Sequence, residues 1–126
     1  MKQIILDTNF LLIPSKFRVD IFEEIHRLCS FKYSLCIIDR TLDELRSITK
    51  PLKEKMHAKL AMKLINAYKI NILKTEKDGD VDSLILQTVN KQDFIVATQD
   101  KFLKKKLKSG GIPVITLRQK QYLIVV

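Results

Sequence analysis

Glycine, histidine and tryptophan are scarce in this chain of 126 residues, which has three glycines, two histidines and no tryptophan. Gly110 and Gly111 are adjacent and Gly79 stands apart, so the sequence offers no glycine-rich phosphate-binding loop. His26 and His57 are isolated, and each is more typical of a surface or packing histidine than of a metal ligand. No serine is spaced to a histidine and an aspartate as in a nucleophilic triad.

Cysteine and long apolar runs are also lacking. Cys29 and Cys36 lie in apolar stretches without metal-ligand spacing, so we expect buried, reduced thiols. No apolar run approaches the roughly 20 residues of a membrane-spanning helix. The first residues, from Met1 to Asp7, are too short and become acidic too early for a signal peptide. We therefore expect a soluble, cytoplasmic protein that does not associate with membranes.

Positive charge, by contrast, is abundant. The chain has 23 Lys and Arg against 14 Asp and Glu, a net charge of +9, and 46% of its residues are hydrophobic. This length and composition predict a single domain, 1–126, with a substantial core. The charge indicates a polyanionic partner, and nucleic acid is favoured over membrane because no strongly amphipathic basic helix stands out.

Strand and helix patterns alternate along the chain. Short apolar strands are predicted at 2–6, 34–38, 71–73, 94–97 and 112–117. Between them we predict helices, including one from about Thr41 and one at 101–108 that ends at Gly110. A further helix has an apolar stripe, which comprises Leu60, Ala61, Leu64, Ile65 and Tyr68. Residues 76–79 are predicted to form a turn. The β-prone tail, 122–126, is expected to add an edge strand or a hairpin.

This order of elements predicts an α/β fold. We expect a three-layer α/β/α sandwich with a central, mostly parallel five-stranded sheet. The strands before Asp7 and before Asp100 should be neighbours at the centre of that sheet, where a doubly wound topology reverses direction. In such sheets, ligands bind at the carboxyl ends of the strands.

Four acidic residues fall where strands end and helices begin, and they are the most informative feature of the sequence. They are Asp7, Glu44, Asp82 and Asp100. Carboxylates gathered at one edge of a sheet repel one another unless cations neutralise them, and oxygen ligands of this kind suit Mg²⁺. In so basic a protein, the pattern predicts a nuclease that depends on Mg²⁺ or Mn²⁺.

Helix capping is the alternative role for these acids. Asp7 and Asp100 could each accept hydrogen bonds from a first helical turn. Glu44 could complete a capping box with Thr41. Asp80 is a better cap for its helix than Asp82, which would sit inside the first turn.

The motifs also carry a resemblance. Leu6-Asp7-Thr8-Asn9, then Glu44, then Asp82, then Thr98-Gln99-Asp100 resembles the PIN-domain ribonucleases along nearly the whole chain. The segments 6–14, 19–24, 95–100 and 111–118 resemble archaeal single-domain relatives of the PIN nuclease in eukaryotic small-subunit rRNA processing. The resemblance implies a PIN-like fold and hydrolysis of RNA by a metal-activated water.

The same resemblance implies roles for individual residues. The catalytic, metal-binding acids would be Asp7, Glu44, Asp82 and Asp100, holding one or two Mg²⁺ or Mn²⁺ ions. The supporting polar residues beside them would be Thr8, Asn9 and Thr98. Some relatives carry two adjacent acids at the third motif, where this chain has Val81 and Asp82, which leaves open whether Asp80 contributes.

Two groups of lysines are candidates for phosphate contacts. The group favoured for RNA follows the predicted Glu44 helix and comprises Lys50, Lys53, Lys55, Lys59 and Lys63. The lysines of the last helix, 101–108, fit RNA binding and a merely solvated face equally well.

Three functions fit these observations. The leading interpretation is an endoribonuclease acting on an rRNA precursor, with a ribosome-assembly partner. The first alternative is the toxin ribonuclease of a toxin–antitoxin pair, whose partner would be an antitoxin. The second is a catalytically silent PIN-like subunit that binds RNA. A homodimer is one way to cover the apolar tail, and pairing within the chain is another.

Overall fold

The computed structural model describes residues 1–76 and 78–126, which form a six-stranded sheet with helices on both faces. The strands are β1 (Lys2–Leu6), β2 (Tyr33–Ile38), β3 (Asn71–Leu73), β4 (Phe94–Ala97), β5 (Val114–Arg118) and β6 (Tyr122–Val125). The helices are α1 (Thr8–Leu11), α2 (Ile13–Phe17), α3 (Ile21–Leu28), α4 (Asp39–Ser47), α5 (Leu52–Ala67), α6 (Val81–Thr88) and α7 (Lys101–Ser109). The turn predicted at 76–79 includes Lys77, which lies outside the described residues.

The sheet has the order β3-β2-β1-β4-β5-β6, and only β6 pairs antiparallel. The mostly parallel sandwich is therefore confirmed. The predicted neighbours at the centre are confirmed as well, since Ile4 of β1 pairs with Ile95 of β4. Strands β1, β2 and β3 follow one another toward one edge of the sheet. Strand β4 then pairs with the other side of β1. This reversal places the end of β1 at a topological switch point, where α/β proteins bind their ligands.

Alternating side chains of the central strand divide the core into two layers. Ile4 and Leu6 face a cluster formed with α1 to α5, whereas Ile5 faces a cluster formed with α6 and α7. Successive side chains of a strand point to opposite faces, so a continuous apolar run suits a strand covered on both sides. The carboxyl edge of the sheet thus lies between two helical layers.

Both cysteines lie in the core, as predicted. Cys29 packs in the α1–α5 layer and Cys36 in the α6–α7 layer. Burial raises the pKa of the Cys36 thiol to about 12. That thiol stays protonated at neutral pH and acts as a small apolar side chain.

The start of α4 differs from the prediction. The helix begins at Asp39 rather than near Thr41, and its N-cap residue, Ile38, makes no side-chain cap bond. Thr41 therefore lies inside the first turns, where its buried hydroxyl has no hydrogen-bond partner among the described residues. The proposed capping box is wrong, because the chain enters α4 directly from β2. Glu44 is consequently exposed and is not held as a cap.

The apolar stripe predicted for α5 is only partly right. Ala61 and Ile65 are buried, together with Ala58, but Leu60 is 37% exposed. The buried residues are three and four positions apart along the helix, and Leu60 lies beside that stripe rather than on it. Tyr68, 49% exposed, follows the helix and stacks on the ring of Phe22 with centroids 3.6 Å apart. Neither α5 nor any other helix of the described residues is both long and apolar enough to cross a membrane.

The tail forms a sixth strand, so the predicted count of five is wrong. This strand is at the edge of the sheet and forms a hairpin with β5, so the prediction for the tail is confirmed. Leu123 of β6 pairs with Leu117 of β5. The connecting turn holds Gln119 and Lys120 at φ of 55° and 56°. Hairpin turns of this kind normally use glycine, asparagine or aspartate, so Gln119 and Lys120 are not a clear turn signal.

Helix α3 fixes β6 in place. The carboxylate of Glu24 accepts a hydrogen bond from Leu123 N at 3.0 Å, and Arg27 donates one to Leu123 O at 2.9 Å. Arg27 and Glu24 also pair with each other at 3.0 Å. The tail is therefore paired on one edge and clamped to a helix within the same chain.

We expect Leu123→Ala to destabilise the fold by about 2–4 kcal/mol, because it empties a fully buried site. Val125→Ala, at a position that is 50% exposed in the same strand, should change stability by less than about 0.5 kcal/mol. Urea unfolding of both variants measures the difference. Equal effects of the two substitutions would show that β6 is not part of the packed structure.

Candidate active site

The four predicted acids converge at the carboxyl edge of the sheet. Asp7 follows β1, Glu44 lies in α4, Asp82 is in the first turn of α6 and Asp100 caps α7. Their charges act on one another: Glu44 and Asp100 each raise the pKa of Asp7, while Asp7 and Asp100 raise that of Asp82. The fold thus brings together four carboxylates that are far apart in sequence.

Asp7 is the most deeply buried of the four, with 3% of its surface exposed. Its Oδ1 accepts a hydrogen bond from Thr8 N at 2.8 Å, and its Oδ2 accepts one from Thr98 Oγ1 at 2.6 Å. Burial is the main cause that raises its pKa, and the two hydrogen bonds oppose that rise. A carboxylate accepts about four hydrogen bonds or metal contacts in all, so both oxygens keep lone pairs for a further partner.

Thr98 connects two of the acids. Its hydroxyl donates to Asp7 and accepts a hydrogen bond from Asp100 N at 3.1 Å. The residue is fully buried at the end of β4, and its own N–H donates to Ile115 O of β5 at 3.0 Å. Thr98 therefore lies where a supporting residue was predicted, and it fixes the spacing of two carboxylates.

Asp100 is a helix cap and a member of the acidic cluster at the same time. Its Oδ1 accepts a hydrogen bond from Leu103 N at 2.9 Å in the first turn of α7. The cap engages one carboxylate oxygen and leaves the other for a different ligand. Capping and ligand binding are thus compatible roles for this residue.

At the start of α6, the two neighbouring acids have separate roles. Asp80 caps the helix, as predicted, by accepting a hydrogen bond from Ser83 N at 2.8 Å, and this bond lowers its pKa. Asp82 is half-buried and faces the cluster instead. Burial, then the charges of Asp7 and Asp100, raise the pKa of Asp82 to about 6.

Asn9 and Gln99 hold the loops around the acids. Asn9 Oδ1 accepts a hydrogen bond from Gln99 N at 3.1 Å. Gln99 Oε1 in turn accepts hydrogen bonds from Thr116 Oγ1 at 2.8 Å and from Leu117 N at 2.7 Å. Gln99 was predicted only as a part of its motif, and no role in holding these loops was assigned to it. Its position between Thr98 and Asp100 is the signal for that role.

Asp39 is an acid at the same edge that the sequence analysis missed. It directly follows β2, just as Asp7 follows β1, so the signal was present. Its carboxylate accepts hydrogen bonds from Thr75 N at 3.0 Å and Thr75 Oγ1 at 2.8 Å, and the Thr75 N–H is the main cause that lowers its pKa. Asp39 therefore anchors the chain beyond β3 to the start of α4.

Next to Asp7, the buried hydroxyl of Thr8 has no hydrogen-bond partner within residues 1–76 and 78–126. Buried polar atoms without a partner are rare in proteins, and a bound ion or water is one explanation for such an atom. Over the same residues, no three acidic, histidine or cysteine side chains lie close enough together, as placed, to ligate one ion. The acids therefore lie near one another but do not form a complete set of ligands around one point.

The favoured lysines lie beside α4, although not all of them line one groove. Lys55 and Lys59 line a cavity of about 210 Å³ together with Arg46 of α4. Lys50, Lys53 and Lys63 are exposed elsewhere on the same segment.

Without a bound cation, Asp82→Asn should stabilise the fold. Folding raises the pKa of Asp82 from 3.8 to about 6, so the folded protein holds this proton more tightly than the unfolded chain does. The stability gained in this way is fully present below pH 3.8 and is lost as the pH rises through about 6. Above that pH, we expect the variant to be more stable than the wild type by about 1 kcal/mol, allowing for screening at a half-exposed site.

Urea unfolding in chelator from pH 4 to 8 measures this effect, with the exposed Asp93→Asn as the matched control. As the pH rises, the free energies of unfolding of wild type and of Asp93→Asn should decrease together relative to that of Asp82→Asn. Parallel curves for all three proteins would contradict the crowding of charge around Asp82.

Comparisons with known proteins identify the family of this chain. The family described as "PIN like domain" matches residues 4–120. Ribonuclease VapC4 of Methanocaldococcus jannaschii is 34% identical over 126 residues, covering 97% of this chain and 95% of that protein. Ribonuclease VapC9 of Archaeoglobus fulgidus is 31% identical over 124 residues, covering 96% and 87%.

The chain is also similar to an rRNA-processing protein and to a PIN domain endonuclease of known structure. The rRNA-processing protein fcf1 of Schizosaccharomyces pombe is 28% identical over 117 residues, which is 90% of this chain but 58% of that protein. The structure of the PIN domain endonuclease Utp24 superposes with a TM-score of 0.82 at 26% identity, covering 98% of this chain and 90% of that one. On the family match, the full-length relatives and the shared fold, this chain belongs to the PIN-like domain family.

Proposed function

We propose that this protein is an endoribonuclease that depends on Mg²⁺ or Mn²⁺ and hydrolyses RNA phosphodiester bonds. The observation that carries the proposal is the convergence of four carboxylates around buried Asp7 in a protein of net charge +9. Relatives matched along most of their length are named ribonucleases, which supports the same activity.

The donor set suits a hard divalent cation. The candidate ligands are the carboxylates of Asp7, Glu44, Asp82 and Asp100. The free hydroxyl of Thr8 adds a neutral oxygen beside them. All these donors are oxygen atoms, which Mg²⁺ and Mn²⁺ prefer over nitrogen or sulfur. One or two bound ions would lower the pKa of a water for attack and stabilise the leaving oxygen.

The chain's own residues supply position and charge. Asp7 is fixed by Thr98 and Thr8, so the centre of the site is rigid. Asp82 and Asp100 are half-buried, and Glu44 is exposed on α4, so these side chains have the freedom to reach a common ligand. In this proposal, Glu44 either binds the metal ion or orients the attacking water.

The lysines after α4 would bind the RNA backbone. Lys55 and Lys59 share their groove with Arg46, on the same helix as Glu44. Lys50, Lys53 and Lys63 would add exposed positive charge along the segment. Contacts of this kind give affinity and position without sequence preference, and they weaken with salt.

A precursor of rRNA is the favoured substrate, and a ribosome-assembly protein is the corresponding partner. The relative named as an rRNA-processing protein supports this choice. We propose further that residues 1–126 act as one cytoplasmic domain, alone or as a homodimer.

A second candidate is the toxin ribonuclease of a toxin–antitoxin pair, with an antitoxin as partner. The chain spans 95% and 87% of the two archaeal ribonucleases but 58% of the rRNA-processing protein, so a small stand-alone nuclease is a specific alternative. A catalytically silent RNA-binding subunit is disfavoured because all four acids remain.

Cleavage assays with Mn²⁺ or Mg²⁺ test the proposal. Wild type should cleave RNA, and chelator, Asp7→Asn or Asp82→Asn should each lower kcat by about 100-fold or more, since metal affinity and activity both depend on the ligand set. Asp93→Asn, an exposed aspartate at the opposite edge of the sheet, should retain the wild-type rate.

The substrates are a small-subunit rRNA precursor and a mixed transfer RNA pool. Preferential cleavage of the precursor supports processing, and preferential cleavage of transfer RNA supports the toxin role. Cleavage that persists in chelator and in Asp7→Asn would refute the metal-dependent mechanism.

A further inference from the structure

Helix α7 carries a concentration of positive charge beside the acids. Five of its nine residues are lysines and none is acidic. Four of them line a groove of about 410 Å³ between the helix, β5 and Val126; its cationic residues are Lys101, Lys104, Lys105, Lys108 and Arg118. This groove is larger and more basic than the one beside α4.

The cations of this groove are not neutralised within the described part of the chain. The ion pairs found there are Lys16 with Glu54, Arg27 with Glu24, and Arg40 with Asp43. None of them includes a lysine of α7 or Arg118. Grouped like charges repel one another, so an external polyanion is the partner that this groove favours.

The groove is structurally continuous with the acidic site. Asp100 caps α7, so Lys101 follows a candidate catalytic carboxylate directly. Lys104 Nζ donates to Thr116 Oγ1 at 3.3 Å, and the same hydroxyl donates to Gln99 Oε1 at 2.8 Å. A phosphate held in the groove would therefore lie next to the acids.

Phe102 adds an aromatic surface at the same end of the helix. Its side chain is 80% exposed, whereas Leu103 and Leu107 bury the opposite face of α7 in the core. On a helix, residues three and four apart are neighbours, so Phe102 adjoins Lys105 and Lys106. The ring adds little to packing and lies in the first turn, beside Asp100.

We propose that Phe102 and the α7 groove bind a single-stranded segment of RNA next to the bond that is cut. One unpaired base stacks on the Phe102 ring, and the neighbouring phosphates contact Lys101, Lys105 and the other groove cations. A basic groove combined with an exposed aromatic ring is the combination that single-strand binders use. This inference rests on the proposed ribonuclease function and assigns a base-stacking residue and a phosphate-binding groove to that site.

Both faces of the sheet contribute to the resulting path. Helix α5 packs on one face and α7 on the other, and the acids lie at the edge between them. An RNA strand that crosses this edge can contact Lys55 and Lys59 on one side and the α7 groove on the other. A paired duplex hides the faces of its bases, so it cannot stack on Phe102.

Fluorescence anisotropy in chelator, where cleavage does not proceed, tests the ring. The probes are a short labelled oligouridylate and a blunt-ended RNA duplex that is paired throughout. Phe102→Ala should weaken oligouridylate binding by about tenfold, because the ring offers one stacking surface to an unpaired base. Binding of the duplex should be unchanged. Phe102→Tyr should restore binding, whereas Phe102→Leu should not.

The lysines are tested by a matched pair of variants with equal charge changes. Lys101→Gln with Lys105→Gln should lower the magnitude of the slope of log affinity against log salt by about 1.4, since each phosphate contact to a single strand contributes about 0.7. Lys32→Gln with Lys91→Gln removes the same charge from exposed positions near the amino ends of β2 and β4, and it should retain nearly the full slope.

Several results would overturn the inference. They are equal losses of salt dependence in the two lysine pairs, no loss of oligouridylate affinity in Phe102→Ala, an equal loss of affinity for oligouridylate and duplex in that variant, or no RNA binding by wild type. Competition by polyglutamate as effective as that by oligouridylate would assign the groove to acidic proteins instead.

Cleavage assays on the same probes separate this inference from the proposed function. If wild type cleaves with Mn²⁺ but Phe102→Ala keeps its KM on oligouridylate, the nuclease stands and the stacking surface fails. If binding follows the predictions but no metal supports cleavage, the binding surface stands and the catalytic function fails.

Discussion

The burial of the Asp7 carboxylate is the constraint on which the site depends. An ionised carboxylate at 3% exposure destabilises the fold unless hydrogen bonds compensate for lost solvation. Thr98 provides one of these bonds, and it can do so only because β4 pairs directly with β1. The same hydroxyl accepts from Asp100 N, so the pairing of two central strands positions two acids together.

Local structure offsets part of the repulsion among these acids. The helices α6 and α7 both begin at this edge, where the positive ends of their dipoles favour negative charge. Asp80 and Asp100 use their carboxylates as caps, while Asp82 faces the cluster with its pKa raised to about 6. The site thus holds more negative charge than the fold needs for capping, which is the physical reason to expect a bound cation.

Much of this arrangement was predictable because the signals are local. Apolar runs ending in acids mark parallel strands, and Asp80 is a standard cap. The start of α4 was missed because Thr41 and Glu44 imitate a capping box while Asp39 forms the first turn. The sixth strand was uncertain because its turn lacks glycine. Contacts such as Gln99 with Leu117 depend on tertiary packing, which sequence periodicity does not encode.

We expect the acids around Asp7 to form a site for a divalent cation. Calorimetric titration of Mn²⁺ into wild type and into Asp7→Asn measures this binding without any RNA or turnover. The site described here predicts saturable binding by the wild type that is lost in Asp7→Asn and retained in Asp93→Asn. Equal Mn²⁺ binding by all three proteins, or none by the wild type, would contradict it.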